Sequence, residues 1–142
     1  MKLFGAVCAL SLIAAGAARA DIVPACPAPV GVTEVAFDQI PMGIMKALHD
    51  KTGDMAMPGQ PFNATDVGQI ANGKAVPSSR GLFAWSLGTR WVIATEHGGR
   101  GYNDPIYVFD VAADGKRVRL TAGKSAGPNT VCAVAKGLAG AQ

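Results

Sequence analysis

Residues able to do acid–base or binding chemistry concentrate in one short stretch, Glu96 to Asp104. It places an imidazole, a guanidinium, a phenol and two carboxylates around the run Gly-Gly-Arg-Gly. Histidine is the usual general acid–base because it titrates near neutral pH, so His97 is the candidate base. Adjacent residues of a strand face opposite sides, so Glu96 is poorly placed to orient that ring. The candidate catalytic set is therefore His97 with Asp104 or Tyr102 as its partner.

The same stretch supports three interpretations without catalysis. The glycine amides together with Arg100 would bind a small anion such as phosphate, sulfate or carboxylate. Alternatively, a rigid loop would present Arg100 and Tyr102, residue types common in binding hot spots, to a protein partner. The plainest interpretation is that these side chains only hydrogen-bond the loop closed. The candidate ligand- or partner-binding residues are Glu96, His97, Gly99, Arg100, Tyr102 and Asp104.

Other kinds of site find little support in the sequence. The nucleophile motif Gly-x-Ser-x-Gly is missing. The two histidines do not have the i,i+4 spacing of a helical zinc site, so neither a metal nor a cofactor is predicted. Gly123 to Pro128 lacks the spacing of a phosphate-binding P-loop and predicts a flexible loop instead. Lysine and arginine form no continuous run, so nucleic acid is not a predicted partner.

The first twenty residues have the pattern of a secretory signal peptide. Lys2 supplies a positive charge, Leu3 to Ala15 is almost entirely apolar, and Ala18-Arg19-Ala20 matches an Ala-x-Ala cleavage signal. The apolar run is too short for a spanning helix, so no stable membrane insertion is predicted. We expect cleavage after Ala20 and a periplasmic or secreted single domain over residues 21–142. Without Lys2 and Arg19, eleven basic residues would face ten acidic ones, a net charge near +1.

Two cysteines remain in the predicted mature chain, because Cys8 leaves with the signal peptide. Cys26 lies near its start and Cys132 near its end. In an oxidising compartment such a pair is expected to form a disulfide. Closing so long a loop contributes up to about 4.7 kcal/mol of stability on the chain-entropy model. Neither cysteine has a Cys-x-x-Cys companion, which argues against a reactive thiol or a metal ligand.

The best helical pattern runs from Asp38 to Gly53, with Asp38 as its cap and Pro41 in its first turn. Ile40, Ile44 and Leu48 recur at helical spacing and predict one buried stripe. His49 near the end of this helix is interpreted as a surface residue. The run Asn63-Ala64-Thr65-Asp66 resembles a capping motif and predicts a short helix that continues to Asn72 and ends at Gly73, with a loop as the alternative. Residues 129–138 predict either a short helix or a last strand.

From Gly81 onward the apolar pattern changes to the period of two that is typical of strands. The predicted strands are Leu82–Leu87, Arg90–Glu96, Ile106–Val111 and Arg117–Thr121. Alternation places Trp91, Ile93, Thr95 and His97 on one face, and Val92, Ala94 and Glu96 on the other. The aromatic-rich faces, including Phe83 and Trp85, are expected to pack against the helix stripe.

These patterns predict an α+β fold: an antiparallel four- to five-stranded meander sheet packed by one principal N-terminal helix, with one long-range disulfide. The leading hypothesis is a small exported, non-catalytic binding module, inhibitor- or immunity-like, that presents the 96–105 loop to another exported protein. The first alternative is a small hydrolase or lyase with His97 as general base. The second is a binder of small anions through Arg100 and the loop amides. No motif in the sequence identifies a family.

Overall fold

A computed structural model describes residues 25–140 of the chain. The predicted signal peptide, residues 1–20, lies outside the described residues. The elements in chain order are β1 Thr33–Val35, a 3-10 turn Phe37–Gln39, α1 Met42–Thr52, β2 Met55–Ala56, β3 Ile70–Ala71, β4 Lys74–Ala75, β5 Ser79–Leu87, β6 Arg90–His97, β7 Asp104–Val111, β8 Val118–Ala126 and α2 Val131–Gly140.

The main sheet has six strands, and all but one of its strand pairs are antiparallel. Its order is β1-β5-β6-β7-β8, and β2 joins β5 as a parallel partner beside β1. β3 and β4 form a separate two-stranded hairpin. The predicted α+β class and antiparallel sheet are confirmed, with two short strands, β1 and β2, added along the edge of β5.

Each face of the sheet is covered by a different helix. Ile44 and Leu48 of α1 pack against Ile93 and Phe109 on one face. The opposite face packs against α2 through a second buried cluster, whose members include Trp85, Val92, Ile106, Val131 and Ala135. The expectation that Phe83 and Trp85 pack against the α1 stripe is therefore wrong, because their face of β5 lies under α2. Of the helix and the strand predicted as alternatives for residues 129–138, the structure contains the helix, α2.

The helix α1 begins later than the pattern predicts. Asp38 lies in the 3-10 turn, and Pro41 occupies the N-cap position without a side-chain hydrogen bond. Ile40 has extended backbone angles, φ −66° and ψ 131°, because a residue before proline avoids the helical region. Gly53 ends the helix with φ 67°, as expected for a C-terminal glycine.

The short helix predicted before Gly73 is wrong, because the chain forms the β3–β4 hairpin there. Asn72 and Gly73 have φ values of 52° and 73°. An Asn-Gly pair accepts two positive φ angles and closes a two-residue hairpin. The prediction of a flexible loop from Gly123 to Pro128 is also wrong for residues 123–126, because they belong to β8 and pair with β7.

The predicted disulfide is confirmed. Cys26 and Cys132 are bridged with their Cα atoms 5.5 Å apart, across a sequence separation of 106 residues. Cys26 is buried in the α2-side cluster, so the bridge fastens the N-terminal arm to the first turn of α2. Within residues 25–140, none of the helices is long and apolar enough to cross a membrane.

Candidate functional site

Strand pairing assembles a row of charged side chains on the face of the sheet that α2 covers. Arg80 of β5 pairs with Glu96 of β6. Ala94 pairs with Ile106 and His97 bridges to Asn103, which places Glu96 opposite Asp104 of β7. Arg80, Glu96 and Asp104 are all buried, so three ionisable groups share the low-dielectric side of the sheet.

Arg80 and Glu96 form a buried ion pair at the centre of this row. The Arg80 Nε donates to Glu96 Oε1 at 2.5 Å, and both side chains are 5% exposed. A second guanidinium nitrogen donates to the Gln60 carbonyl at 3.1 Å, and the Phe62 ring lies 4.4 Å from the guanidinium carbon. A buried ion pair is stabilised by further contacts to its charged groups, and the Gln60 carbonyl and the Phe62 ring provide such contacts to Arg80. Arg80 is absent from the predicted site, because a lone arginine at the start of a strand belongs to no recognisable motif.

The Tyr102 side chain joins the loop to this ion pair. Its hydroxyl donates to Glu96 Oε2 at 2.6 Å, while 42% of the residue remains exposed. Burial of the hydroxyl, and then the hydrogen bond to Glu96, raise the pKa of Tyr102 well above its ordinary value. Tyr102 is therefore held as a hydrogen-bond donor, which makes it a structural anchor of the loop.

Among the three buried ionisable side chains, Asp104 is the one without hydrogen bonds to its carboxylate. It is 1% exposed, and neither carboxylate oxygen has a hydrogen-bond partner within the described residues. Burial, followed by repulsion from the Glu96 carboxylate, raises the pKa of Asp104 to about 6. Folding therefore makes the Asp104 carboxyl harder to ionise, so its ionisation opposes folding.

Replacing Asp104 by Asn is expected to stabilise the protein by about 1–3 kcal/mol at pH 7.5. The pKa of Asp104 is about 6 in the folded state against 3.8 for the free side chain, so the folded state holds more protons between these values. The extra proton bound by folded Asp104 therefore stabilises the protein fully below about pH 4, and this stabilisation is lost as the pH rises through about 6. Urea unfolding at several pH values measures this slope, which should flatten in Asp104→Asn. The control Asp50→Asn, at an exposed position, should keep the slope.

His97 lies on the opposite face of the sheet from Glu96. Its Nδ1 is 2.9 Å from the Ser79 hydroxyl on the neighbouring strand. Asp104 and Tyr102, the partners expected to orient the ring, lie on the side of Glu96 instead. Ser79 is 1% exposed, and its hydroxyl positions the imidazole at the wall of a small notch that both residues line. The ring borders a notch of about 190 Å³ between the end of α1 and β6.

The glycines of the loop allow a close approach by the segment Asn63–Asp66. The Gly98 amide donates to the Ser78 carbonyl at 2.9 Å, and the Gly99 amide donates to the Ala64 carbonyl at 3.1 Å. A Cβ atom on Gly98 would overlap the Asn63 backbone oxygen, so only glycine fits this position. The Asn63 side chain in turn accepts from the Thr65 amide at 3.0 Å, which fixes the opposing segment.

Arg100 is at the tip of the loop, with 91% of its side chain exposed. Its Nε donates to Asp66 Oδ2 at 2.7 Å, and the Tyr102 amide donates to the Gly99 carbonyl at 3.1 Å. An ion pair this exposed contributes little to stability. The amides of Gly98, Gly99 and Tyr102 thus donate to carbonyls of the chain itself, which weakens the case for an anion held by the loop amides.

The chain matches no protein-family model, and neither a curated protein nor a solved structure is detectably similar to it. Across residues 25–140, no three His, Cys, Asp or Glu side chains are grouped so that they could hold a metal ion. Of the six candidate binding residues, Glu96, Tyr102 and Asp104 meet on one face, whereas His97 meets Ser79 on the other. Gly99 and Arg100 lie in the loop between them.

Proposed function

We propose that this protein is a non-catalytic binding module that presents the loop His97–Asn103 to a protein partner. One observation carries the proposal: the inner side of the loop is tied to buried groups while its outer side remains accessible. Tyr102 is bonded to buried Glu96, and Gly98 is packed against Asn63. Arg100 and part of the Tyr102 ring stay exposed.

A loop that is already held in one conformation suits binding, because it loses little conformational entropy when a partner binds. Tyrosine and arginine are the residue types most often found at the energetic centres of interfaces. The bond between Arg100 and Asp66 is exposed, so a partner carboxylate can replace Asp66 at small cost. The partner therefore gains a cation and an anchored aromatic ring on one rigid surface.

The two other hypotheses have weaker support. Catalysis by His97 needs a group that orients the ring, and both candidates for that role, Asp104 and Tyr102, lie on the other face of the sheet. Binding of an anion by the loop needs free amides, and those of Gly98 and Gly99 already donate to carbonyls. Neither objection applies to a partner that contacts exposed side chains.

The partner hypothesis is tested with Arg100→Ala, matched against Lys46→Ala at an exposed position of α1. Quantitative mass spectrometry should identify a protein that co-purifies from the native host with the wild type and with the control. We expect Arg100→Ala to reduce its recovery, and the affinity measured with the purified partner, by at least about ten-fold. Undiminished binding by Arg100→Ala, or no specific partner in the native compartment, contradicts the proposal.

We further propose that the protein acts outside the cytoplasm after removal of residues 1–20. The Cys26–Cys132 disulfide supports this, because such bridges persist in oxidising compartments. The intact mass of protein from the native envelope or medium should correspond to a chain that begins at Asp21. Recovery of the full-length chain from the cytoplasm, with both thiols free, is the opposite result.

A further inference from the structure

The two edges of the main sheet differ in how they are protected. On one edge, Thr33–Val35 and Met55–Ala56 pair with opposite ends of β5. At the other edge β8 pairs with β7 alone, along the nine residues Val118–Ala126. Among the described residues, no backbone hydrogen bond from outside this ladder reaches β8. Alternate residues of an edge strand direct their N–H and C=O groups outward, where another strand can pair with them.

The open edge is also strongly basic. After Gly115 the chain has five basic residues and no acidic one: Lys116, Arg117, Arg119, Lys124 and Lys136. Four of them lie in β8 or in the turn that leads into it. Asp110 lies opposite Arg119, but its carboxylate already accepts from the Arg90 Nε at 2.9 Å. Arg119 also lies close enough to Asp110 to help lower the pKa of that carboxyl, but one carboxylate does not balance the basic residues of this edge. The edge therefore carries a net positive charge beside backbone groups that pair with no other described strand.

The side chains along the second half of β8 leave room for an additional strand. Ala122, Gly123, Ser125 and Ala126 are all small, and Lys124 is the only long side chain among them. In the first half, Leu120 is 36% exposed and provides an apolar contact. A strand added here would meet small side chains at one end and an apolar side chain at the other.

We propose that the β8 edge binds an extended acidic segment of another protein, which adds to the sheet as a further strand. Backbone hydrogen bonds would supply affinity, and acidic side chains opposite Arg119 and Lys124 would supply specificity. A second copy of this chain is a poorer occupant, because like charges placed opposite each other across strands repel. The inference goes beyond the loop surface, since it adds a separate contact area and specifies the chemistry of its partner.

The test uses a short capped peptide that alternates Glu with Val and Thr, and a counterpart with Lys in place of Glu. Titration of the acidic peptide should shift amide signals along Val118–Ala126 saturably and slow the hydrogen exchange of β8 amides. We expect Arg119→Glu with Lys124→Glu to weaken the acidic peptide by at least about ten-fold and to favour the Lys peptide. The milder pair Arg119→Gln with Lys124→Gln should weaken binding in the same direction, and its near-ultraviolet circular dichroism verifies the fold.

The matched control is Lys46→Glu with Lys51→Glu, which makes the same charge change on exposed positions of α1. It should leave the binding of the acidic peptide unchanged. Equal weakening in this control, signal changes confined to residues 97–103, or no saturable change at millimolar peptide would overturn the proposal. So would concentration-dependent dimers with protected β8 amides in the absence of peptide. The loop proposal is judged separately by Arg100→Ala, so either surface can fail alone.

Discussion

Replacing Arg80 by Met is expected to lower the free energy of unfolding by about 3–5 kcal/mol. The substitution leaves the Glu96 carboxylate buried without its cation and close to the second buried carboxylate, Asp104. The Gln60 carbonyl also loses the guanidinium nitrogen that donates to it. Urea denaturation followed by tryptophan fluorescence measures the change, because Trp85 is fully buried in the adjacent cluster.

The matched control for Arg80→Met is Arg100→Met, which removes an arginine–carboxylate pair at the exposed tip of the loop. That change should cost at most about 1 kcal/mol. Adding Glu96→Gln to Arg80→Met should recover part of the loss, since no uncompensated charge then remains buried. Equal losses for the two arginine variants would mean that burial of the Arg80–Glu96 pair has no energetic consequence.

Arg80→Met should also weaken binding through the loop, although Arg80 itself is buried. Glu96 accepts from both Arg80 and the Tyr102 hydroxyl, so a displaced carboxylate releases the anchor of the loop. Binding energy lost in this way reflects disorder of the presented surface, since Arg100 and Tyr102 remain chemically intact. The ion pair thus joins the stability of the sheet to the geometry of the proposed binding surface.

Removal of the disulfide is expected to cause a second large loss, up to about 4.7 kcal/mol. The bridge joins Cys26 to Cys132 and closes most of the described chain into one loop, which restricts the unfolded state. It also holds the arm of residues 25–32 beside α2, where Ala28 and Val32 pack against the buried cluster. Guanidinium unfolding with and without dithiothreitol should give different midpoints for the wild type.

The control for the disulfide is the double variant Cys26→Ala with Cys132→Ala. Its unfolding midpoint should match that of the reduced wild type and should not respond to dithiothreitol. A wild type whose midpoint is the same in both buffers would show that the bridge does not restrict the unfolded chain. Partner recovery by the double variant then tells whether the proposed binding loop depends on this restraint.

Features that depend on local spacing could be predicted from the sequence. Ile44 and Leu48 are fully buried, because residues four apart lie on one side of a helix. Glu96 and His97 lie on opposite faces of β6, because side chains alternate along a strand. The pairing of Cys26 with Cys132 followed from their being the two cysteines of the predicted mature chain.

The partners of the candidate site residues depended on how the strands pair. Strict alternation along β5 would place Arg80 on the same face as Ala84, under α1. A register shift between Gly81 and Phe83 instead brings Arg80 to the face of Phe83 and Trp85, opposite Glu96. A bulge adds one residue to one strand, and no local pattern in the sequence reveals it.

The sequence by itself determined which side chains with useful chemistry occur near the loop and which of them alternate across a strand. The tertiary structure decided which of these groups are neighbours: Ser79 with His97, and Arg80 and Tyr102 with Glu96. It also decided that, among the described strands, β5 has partners along its outer edge while β8 pairs only with β7. The physical reason is that helical and strand periodicities act over a few residues, whereas register, bulges and edge pairing are set by contacts between distant segments.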